Sequence, residues 1–376
     1  MQKKILIVGN TSDDHLKRFD RHIREVDKDE KVSLDAFNIN SRERNKLFDR
    51  TYHLKNYFPK FLLKIKFVRN VVIRINYYLS FLQVNNYDLI NIHFLTPHSF
   101  VLLPLYKRKS SKIMVSPWGS DVYRIDKATR DKTRKVYDVA DYISAPKIQF
   151  REDIKNLFSV PEDKIIDLAF GSENIDSLIR IEALTKEDAK NNLDLKNSFI
   201  ISCGYNRNKA HNHLIIVDAL SSIRDLLPQN TVLIFLMTYG PENHEYFQEI
   251  EKKLKLANFK YIIFYNFLST TEVATIQKAT DLFICIQDTD ANSATLQEYL
   301  LCKTDIIIGE WLKYPQFEKY GLPYLKTPSK EILATTLKEY FTAQEKIYIP
   351  ERLIDNIRQS AWSVKIKEWY NFYLSL

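Results

Sequence analysis

Residues 281–303 read DLFICIQDTDANSATLQEYLLCK. The opening run is apolar without the alternation of a half-buried strand, and it is too short for an ordinary helix. A strand of that kind is buried on both faces and belongs in a parallel sheet covered by helices. A polar turn with Asp288, Asp290 and Asn292 follows, and then a run of helical spacing that carries Glu298 one turn inside it. The same sequence of apolar run, polar turn and helical segment recurs along the chain. It appears in the first half as KILIVGN (4–10), KVSLDAF (31–37), YDLINIHFL (87–95), SKIMVSP (111–117), DYISAP (141–146) and DKIIDLAFG (163–171). It returns in the second half as SFIISCGYN (198–206), TVLIFLMTYG (231–240), FKYIIFYNF (259–267) and DIIIGE (305–310). Strand and helix in strict succession predict an α/β protein with two Rossmann-like domains.

A chain of 376 residues has the length for two such domains. The polar stretch 176–197 suits a boundary. The expected division is a first domain over 1–175, a second over 176–350, and a C-terminal helical segment over 351–376. Trp362, Trp369, Tyr370 and Phe372 make that segment too aromatic for a free tail, so it is expected to pack back on the first domain. Hydrophobic content of 45% with 27% charged residues is that of a folded soluble protein. The start, MQKKILIVGN, has too short an apolar run for a secretory signal, which predicts a cytoplasmic chain. Cys203, Cys285 and Cys302 show no metal-ligand or disulfide spacing.

Charge divides the chain. Residues 1–150 hold 29 Lys+Arg against 16 Asp+Glu, and residues 151–376 hold 26 against 31. Much of the excess lies in HLKNYFPKFLLKIKFVRNVVIRINYYLSFL (53–82), where lysines and arginines alternate with bulky apolar residues. That pattern suits adsorption to an anionic membrane surface, or a helix whose apolar face packs on its own core while its cations are solvated. No helix-turn-helix, finger or RNP-type signature accompanies the charge, so nucleic acid is not an expected partner.

Ligands of open α/β sheets sit beyond the carboxyl ends of the strands, which directs attention to the strand-to-helix turns. After the first strand comes GNTSDDHLKRF, where Gly9 permits close backbone approach; the full dinucleotide fingerprint is missing. After the strand at 111–117 comes PWGSDVYR, with Gly119 at the turn and Asp121 as either a general base or a helix cap. His93 and His98 flank another strand end, His93 nearer the tip. In the second half GYNRNKAHNH (204–213) sets Arg207 and Lys209 before a helix, a composition that suits a diphosphate. A calcium loop starting at Asp288 needs Gly at its sixth position and Glu at its twelfth, but Ser293 and Tyr299 stand there. DTD (288–290) leaves an Asp-x-Asp metal–diphosphate site as one alternative. A second is a plain helix start, capped by Asn292 or Ser293, with Glu298 complementing the helix dipole. A third is a pocket in which Asp290 and the first amides of the helix face an anion. In that pocket Glu298, on the same face as Ala294 and Thr295, accepts from two neighbouring hydroxyls.

Taken in order, these turns resemble those of GT-B glycosyltransferases, above all the family 4 group whose hallmark is E-x7-E. Asp290 and Glu298 keep that spacing as D-x7-E, TSDDHLKRF resembles the S-x-x-H-x-x-R-[FW] turn, PWGSD the H-G-x-D turn, and FGSENID the N-G-V-D stretch. CGYNRNKAHNHLIIVDAL resembles the G-R…K-G loop, and its G-x-N…N-H pattern is also similar to acetamidofucosyl transferases. The resemblance implies two Rossmann-like domains facing each other, with the C-terminal helix crossing back to the first. It implies that Glu298 holds the nucleotide ribose and Asp290 the donor-sugar hydroxyls. The phosphates would fall to the Asn292–Ser293 backbone and the leaving diphosphate to Arg207 with Lys209, while Gly204, Asn206, Ala294 and Thr295 would also belong to the donor-binding site. Gly9, Asn10, His15, Trp118 and Gly119 would lie on the acceptor side, and Asp121, His93 and Asp290 would be the catalytic candidates. Two positions depart from the family: Trp118 stands for its histidine, and Asp290 for its first glutamate.

The activity so implied is transfer of a hexosyl group from a nucleotide diphosphate sugar to a lipid-linked or surface-polysaccharide acceptor, with retention as in family 4, or with inversion as in the acetamidofucosyl transferases, which would need a base such as Asp121 or His93. The transfer needs neither metal nor cofactor and takes place on the inner face of the plasma membrane. A nucleotide-sugar epimerase of the same fold and a non-catalytic carbohydrate- or lipid-surface-binding protein are the alternatives.

Overall fold

The computed structural model describes residues 2–39, 47–96, 99–146, 148–290, 294–321, 323–343 and 347–376. The strands are β1 (Lys3–Gly9), β2 (Val32–Asn38), β3 (Thr51–His53), β4 (Tyr87–His93), β5 (Ser110–Ser116), β6 (Tyr142–Ser144) and β7 (Ile165–Ile166), then β8 (Phe199–Cys203), β9 (Thr231–Leu236), β10 (Lys260–Phe264), β11 (Leu282–Cys285), β12 (Asp305–Gly309) and β13 (Leu325–Thr327). The helices are α1 (Asp14–Val26), α2 (Lys66–Leu82), α3 (Leu103–Lys109), α4 (Ser120–Tyr123), α5 (Lys127–Val139), α6 (Ile148–Phe158), α7 (Glu173–Arg180) and α8 (Lys186–Asn192). They continue with α9 (His213–Ser222), α10 (His244–Leu256), α11 (Thr270–Ala279), α12 (Ala294–Leu301), α13 (Pro315–Glu318), α14 (Leu333–Thr342), α15 (Glu351–Arg358) and α16 (Trp362–Ser375).

The chain divides into two compact units, Met1–Gly171 with Trp362–Leu376, and Ser172–Ala361. The first holds a seven-stranded sheet in the order β3-β2-β1-β4-β5-β6-β7 and the second a six-stranded sheet in the order β10-β9-β8-β11-β12-β13. Every pairing is parallel. Each sheet is covered on both faces, which is why its strands lack alternation. In β1, Ile5 and Ile7 join one core cluster while Leu6 and Val8 join the other. In β9, Leu233 and Phe235 face one side and Ile234 and Leu236 the other.

α16 belongs to the first unit. Trp362, Ile366, Trp369 and Tyr373 form a buried helical stripe that packs with Phe19 of α1 and with strand residues of one face. The chain passes so close at Gly171 that a Cβ there would lie 2.3 Å from the Trp362 Cα. The expected single segment 351–376 is divided: α15 ends before Gln359, and its buried Leu353, Ile354 and Ile357 lie in the second unit. The first boundary lies a few residues before 175/176, because the Ser172 hydroxyl caps α7, a helix of the second unit. Among the described residues no helix is long and apolar enough to cross a membrane.

Candidate functional site

In the second sheet β8 and β11 are neighbours, and their connections leave to opposite sides, β8 toward β9 and β11 toward β12. That reversal opens a crevice beyond the strand tips, where ligands of this architecture bind. Gly204 leaves β8 with φ +65°, and its N–H donates to the Ile284 carbonyl at 3.1 Å. A Cβ at Gly204 would stand 2.8 Å from His213 Nε2, so both the backbone angle and the close approach require glycine.

The turns after β8 and β11 are stitched together. Asp288 N–H donates to the Ala210 carbonyl at 2.9 Å. The Asn212 amide, on a left-handed residue, donates to the Ile286 carbonyl at 2.7 Å and to Asp288 Oδ1 at 3.0 Å. Lys330 pairs with Asp288 from the far side, and Trp311 Nε1 donates to the Gln287 carbonyl at 2.7 Å. Asp288 is thereby a structural carboxylate, held below its ordinary pKa by Asn212 and Lys330.

Asp290 sits at the mouth of the crevice and accepts from the Tyr314 hydroxyl at 2.9 Å. Its charge reaches Tyr205, whose phenol burial already pushes up, and it partly offsets the burial that brings His211 down to about 4. His211 packs edge-on to Tyr205 at 4.3 Å. Tyr239, half exposed at the tip of β9, is pushed up first by burial and further by the charges of Glu298 and Asp290. Asp290 thus touches the Tyr314 hydroxyl and acts by its charge on Tyr205, Tyr239 and His211, a setting of rings and hydroxyls suited to a sugar or base.

Glu298 lies one turn inside α12 and is 2% exposed. Asn174 Nδ2 donates to one carboxylate oxygen at 2.9 Å and Gln277 Nε2 to the other at 2.6 Å. Burial raises its pKa against the lowering effect of those two bonds. Glu298 therefore ties α7 and α11 to α12, a role that its position in the sequence alone did not reveal. Arg207 is also engaged: it donates to the Thr238 carbonyl at 2.9 Å and pairs with Glu242 at 3.1 Å. Lys209 is exposed, its ammonium 5.3 Å above the Tyr246 ring. Asn206 accepts from the Asn208 N–H at 2.9 Å, which shapes the turn. Ala294 and Thr295 open α12, whereas Asn292 and Ser293 lie outside the described residues.

The first sheet reverses in the same way between β1 and β4. A Cβ at Gly9 would meet Leu16 at 2.8 Å, and Asn10 Oδ1 accepts from the Ser12 N–H to hold the turn. Gly119 takes φ +100°. His15 is exposed beside Trp118 at 5.2 Å and stacks on Phe170 at 5.7 Å. His93 is fully buried, with Phe170 stacked on it and Phe19, Trp118 and Trp369 around it. Among the described residues neither ring nitrogen has a hydrogen-bond partner, and burial brings its pKa down to about 3. Asp121 is buried too: one oxygen accepts from the Trp118 N–H and the other from the Leu95 N–H, both at 2.8 Å. These bonds tie the turns after β4 and β5 together and leave Asp121 with the geometry of a loop staple rather than a base. His98 lies outside the described residues.

The turns therefore bring Gly9, Asn10, His15, His93, Trp118, Gly119 and Asp121 to one sheet end, and Gly204, Asn206, Arg207, Lys209, Asp290 and Glu298 to the other. Sequence reasoning missed Phe170, Tyr205, Tyr239, His211, Tyr314 and Lys330. Tyr205 and His211 stand inside the loop GYNRNKAHNH (204–213), while Tyr314 and Lys330 arrive from distant segments without a local signal. Among the described residues no group of three or more histidine, cysteine or carboxylate side chains is arranged to hold a metal ion.

No family model matches the chain, and no curated protein is similar to it in sequence. Solved structures are similar over its whole length. A glycosyltransferase from Rickettsia africae is 14% identical with a TM-score of 0.67, over 100% of this chain and 98% of that one. HepE from Anabaena, in complex with UDP and glucose, is 13% identical with a TM-score of 0.61, over 100% of both chains. Sucrose-phosphate synthase from Thermosynechococcus elongatus is 12% identical with a TM-score of 0.62, over 100% of this chain and 99% of that one. At these identities the likeness speaks for architecture: two parallel-sheet α/β domains, doubly wound, in the GT-B fold.

Proposed function

We propose that this protein is a glycosyltransferase, similar to family 4, that uses a nucleoside diphosphate sugar as donor and a lipid-linked or surface-polysaccharide glycan as acceptor. The observation that carries the reading is the β8/β11 crevice, where Asp290 and Glu298 keep their seven-residue interval across a strand tip and a helix in a GT-B fold. HepE, of the same fold, is seen with UDP and glucose, which supports a nucleotide-sugar donor.

In this reading the donor's diphosphate meets the amides at the start of α12, with Lys209 and, after release from Glu242, Arg207. Asp290 takes the sugar hydroxyls. Glu298 Oε1 takes a ribose hydroxyl by exchanging its bond from the half-buried Asn174. The bond from the sugar's anomeric carbon to the phosphate oxygen breaks, and the electron pair leaves with the diphosphate. The acceptor hydroxyl oxygen bonds to that carbon and gives up its proton. Asp121 has both oxygens engaged by amides, and His93 is buried and a very weak base. Neither suits proton abstraction, so the leaving phosphate oxygen is the better acceptor of that proton, which favours retention. No metal is required. Calorimetric titration with UDP, GDP and dTDP, with and without EDTA, followed by nucleotide release from the matching donor sugars, tests the reading. Absence of nucleotide binding, or a strict requirement for a divalent ion, counts against it.

A further inference from the structure

The outward face of α2 is the apolar one. Phe67, Val71, Ile75, Tyr78 and Leu82 follow one another at helical intervals and are exposed by 89, 53, 38, 36 and 42%. Phe61 and Ile65, in the turn before the helix, extend the stripe. Half of the exposed large hydrophobic side chains among the described residues fall within 57–82, eight of sixteen. The inward face, by contrast, includes Asn76 and Ser80. Asn76 Oδ1 accepts from the Tyr57 N–H at 3.0 Å and Ser80 Oγ from the Lys55 N–H at 2.8 Å. These bonds, with buried Val72, Tyr77 and Phe81, fix the helix so that the stripe remains outside.

Around the stripe stand Lys60, Lys64, Lys66, Arg69 and Arg74, all exposed. Residues 51–87 contain no aspartate or glutamate. We infer that α2 and the preceding turn dock this protein on an anionic phospholipid bilayer, with the stripe among the acyl chains near the headgroups and the five cations on lipid phosphates. A helix of 17 residues with this charge lies in the interface and does not cross it. A second copy is the poorer occupant, since a two-fold contact through this face would bring its five cations against the partner's five. Nucleic acid offers phosphates but nothing for the stripe. The inference extends the transferase reading by naming the surface on which a lipid-linked acceptor is met; the exposures and charges behind it are independent of that reading.

The experiment is co-sedimentation with vesicles of phosphatidylglycerol and phosphatidylcholine in equal parts, and of phosphatidylcholine alone, at low and high salt. Wild type is expected on the anionic vesicles, with salt weakening it. Replacing Lys60, Lys64 and Lys66 together by alanine should weaken partition about fivefold per cation at low salt, about a hundredfold in all. The pair Phe61→Ser and Phe67→Ser should lose about tenfold or more at either salt. Both variants should keep the wild-type unfolding temperature and nucleoside diphosphate affinity. Unchanged vesicle binding in both variants overturns the inference. So does a lower unfolding temperature for the phenylalanine pair, which would place the stripe against protein, or a wild-type dimer that the pair dissociates. Vesicle binding without any nucleotide binding would leave this inference standing and remove the transferase reading.

Discussion

Glu298 and Asp290 were paired by their spacing, yet the structure gives them different surroundings. Glu298 is buried between the Asn174 and Gln277 amides. Glu298→Ala leaves both donors without their acceptor, and thermal or urea unfolding is expected to show a loss of about 1–3 kcal/mol. Asp290 sits at the edge with the Tyr314 hydroxyl, so Asp290→Asn should unfold like wild type while lowering donor turnover. Equal destabilisation of the two variants would contradict this division. Asp121 offers a third residue-scale test. Asp121→Asn turns one oxygen into a donor facing a backbone N–H, at either Leu95 or Trp118, and should cost about 1–3 kcal/mol of stability. A variant that unfolds normally but loses turnover would restore Asp121 as a base.

At the scale of elements, α16 binds the end of the chain to its beginning. Trp369 is 1% exposed, packs edge-on to Phe19 at 5.1 Å, and donates from Nε1 to the Ala169 carbonyl at 2.8 Å. Trp369→Ala is expected to destabilise the first unit by about 3–5 kcal/mol, read by urea unfolding. Under the proposed function, nucleotide binding should persist in that variant, because the proposed donor site lies in the second unit. The aromatic spacing of 362–376 made this helix legible in the sequence, because a buried stripe repeats with the helical period. The break between α15 and α16 was not legible, since both segments have helical spacing and only their burial partners differ. β3 and β13, of three residues each, also escaped the reading, because a short edge strand carries too few residues to show a period.

For the whole molecule, acid sensitivity follows from burial. His93 and His213 are held down to about 3 and His211 to about 4, in each case mainly because burial disfavours the imidazolium. Their folded values lie below the ordinary 6.5, so the unfolded chain binds more protons across that window. The stability they contribute is fully present above pH 6.5 and is lost as pH falls toward the folded values. Asp20 acts in the opposite sense: burial raises it to about 6, so its contribution declines as pH rises from 3.8 to about 6. Between about pH 7.5 and pH 6 the histidines dominate, with a loss of about 2 kcal/mol for the three together. Urea unfolding at the two pH values checks this, and His93→Phe should remove the share of the slope that His93 contributes.

Two parallel-sheet domains were decided by the sequence itself, because strands buried on both faces must be apolar throughout and helices must follow them to cover the sheet. KILIVGN and DLFICIQ state that requirement locally. The strand-tip turns were local too, so Gly9, Gly119, Gly204 and Asp290 could be found without coordinates. What each side chain does at those tips depended on partners far along the chain. Glu298 meets Asn174 from 124 residues away, and Tyr314 reaches Asp290 over 24. His93 is enclosed by Phe170 and Trp369, so its proton affinity could be judged only once the fold had closed around it. The stretch 53–82 shows the same division: its composition announced an amphipathic basic helix, but only the bonds of Asn76 and Ser80 decided that the apolar stripe faces outward. Periodicity states that a helix has two faces, and the tertiary contacts choose which one the protein keeps.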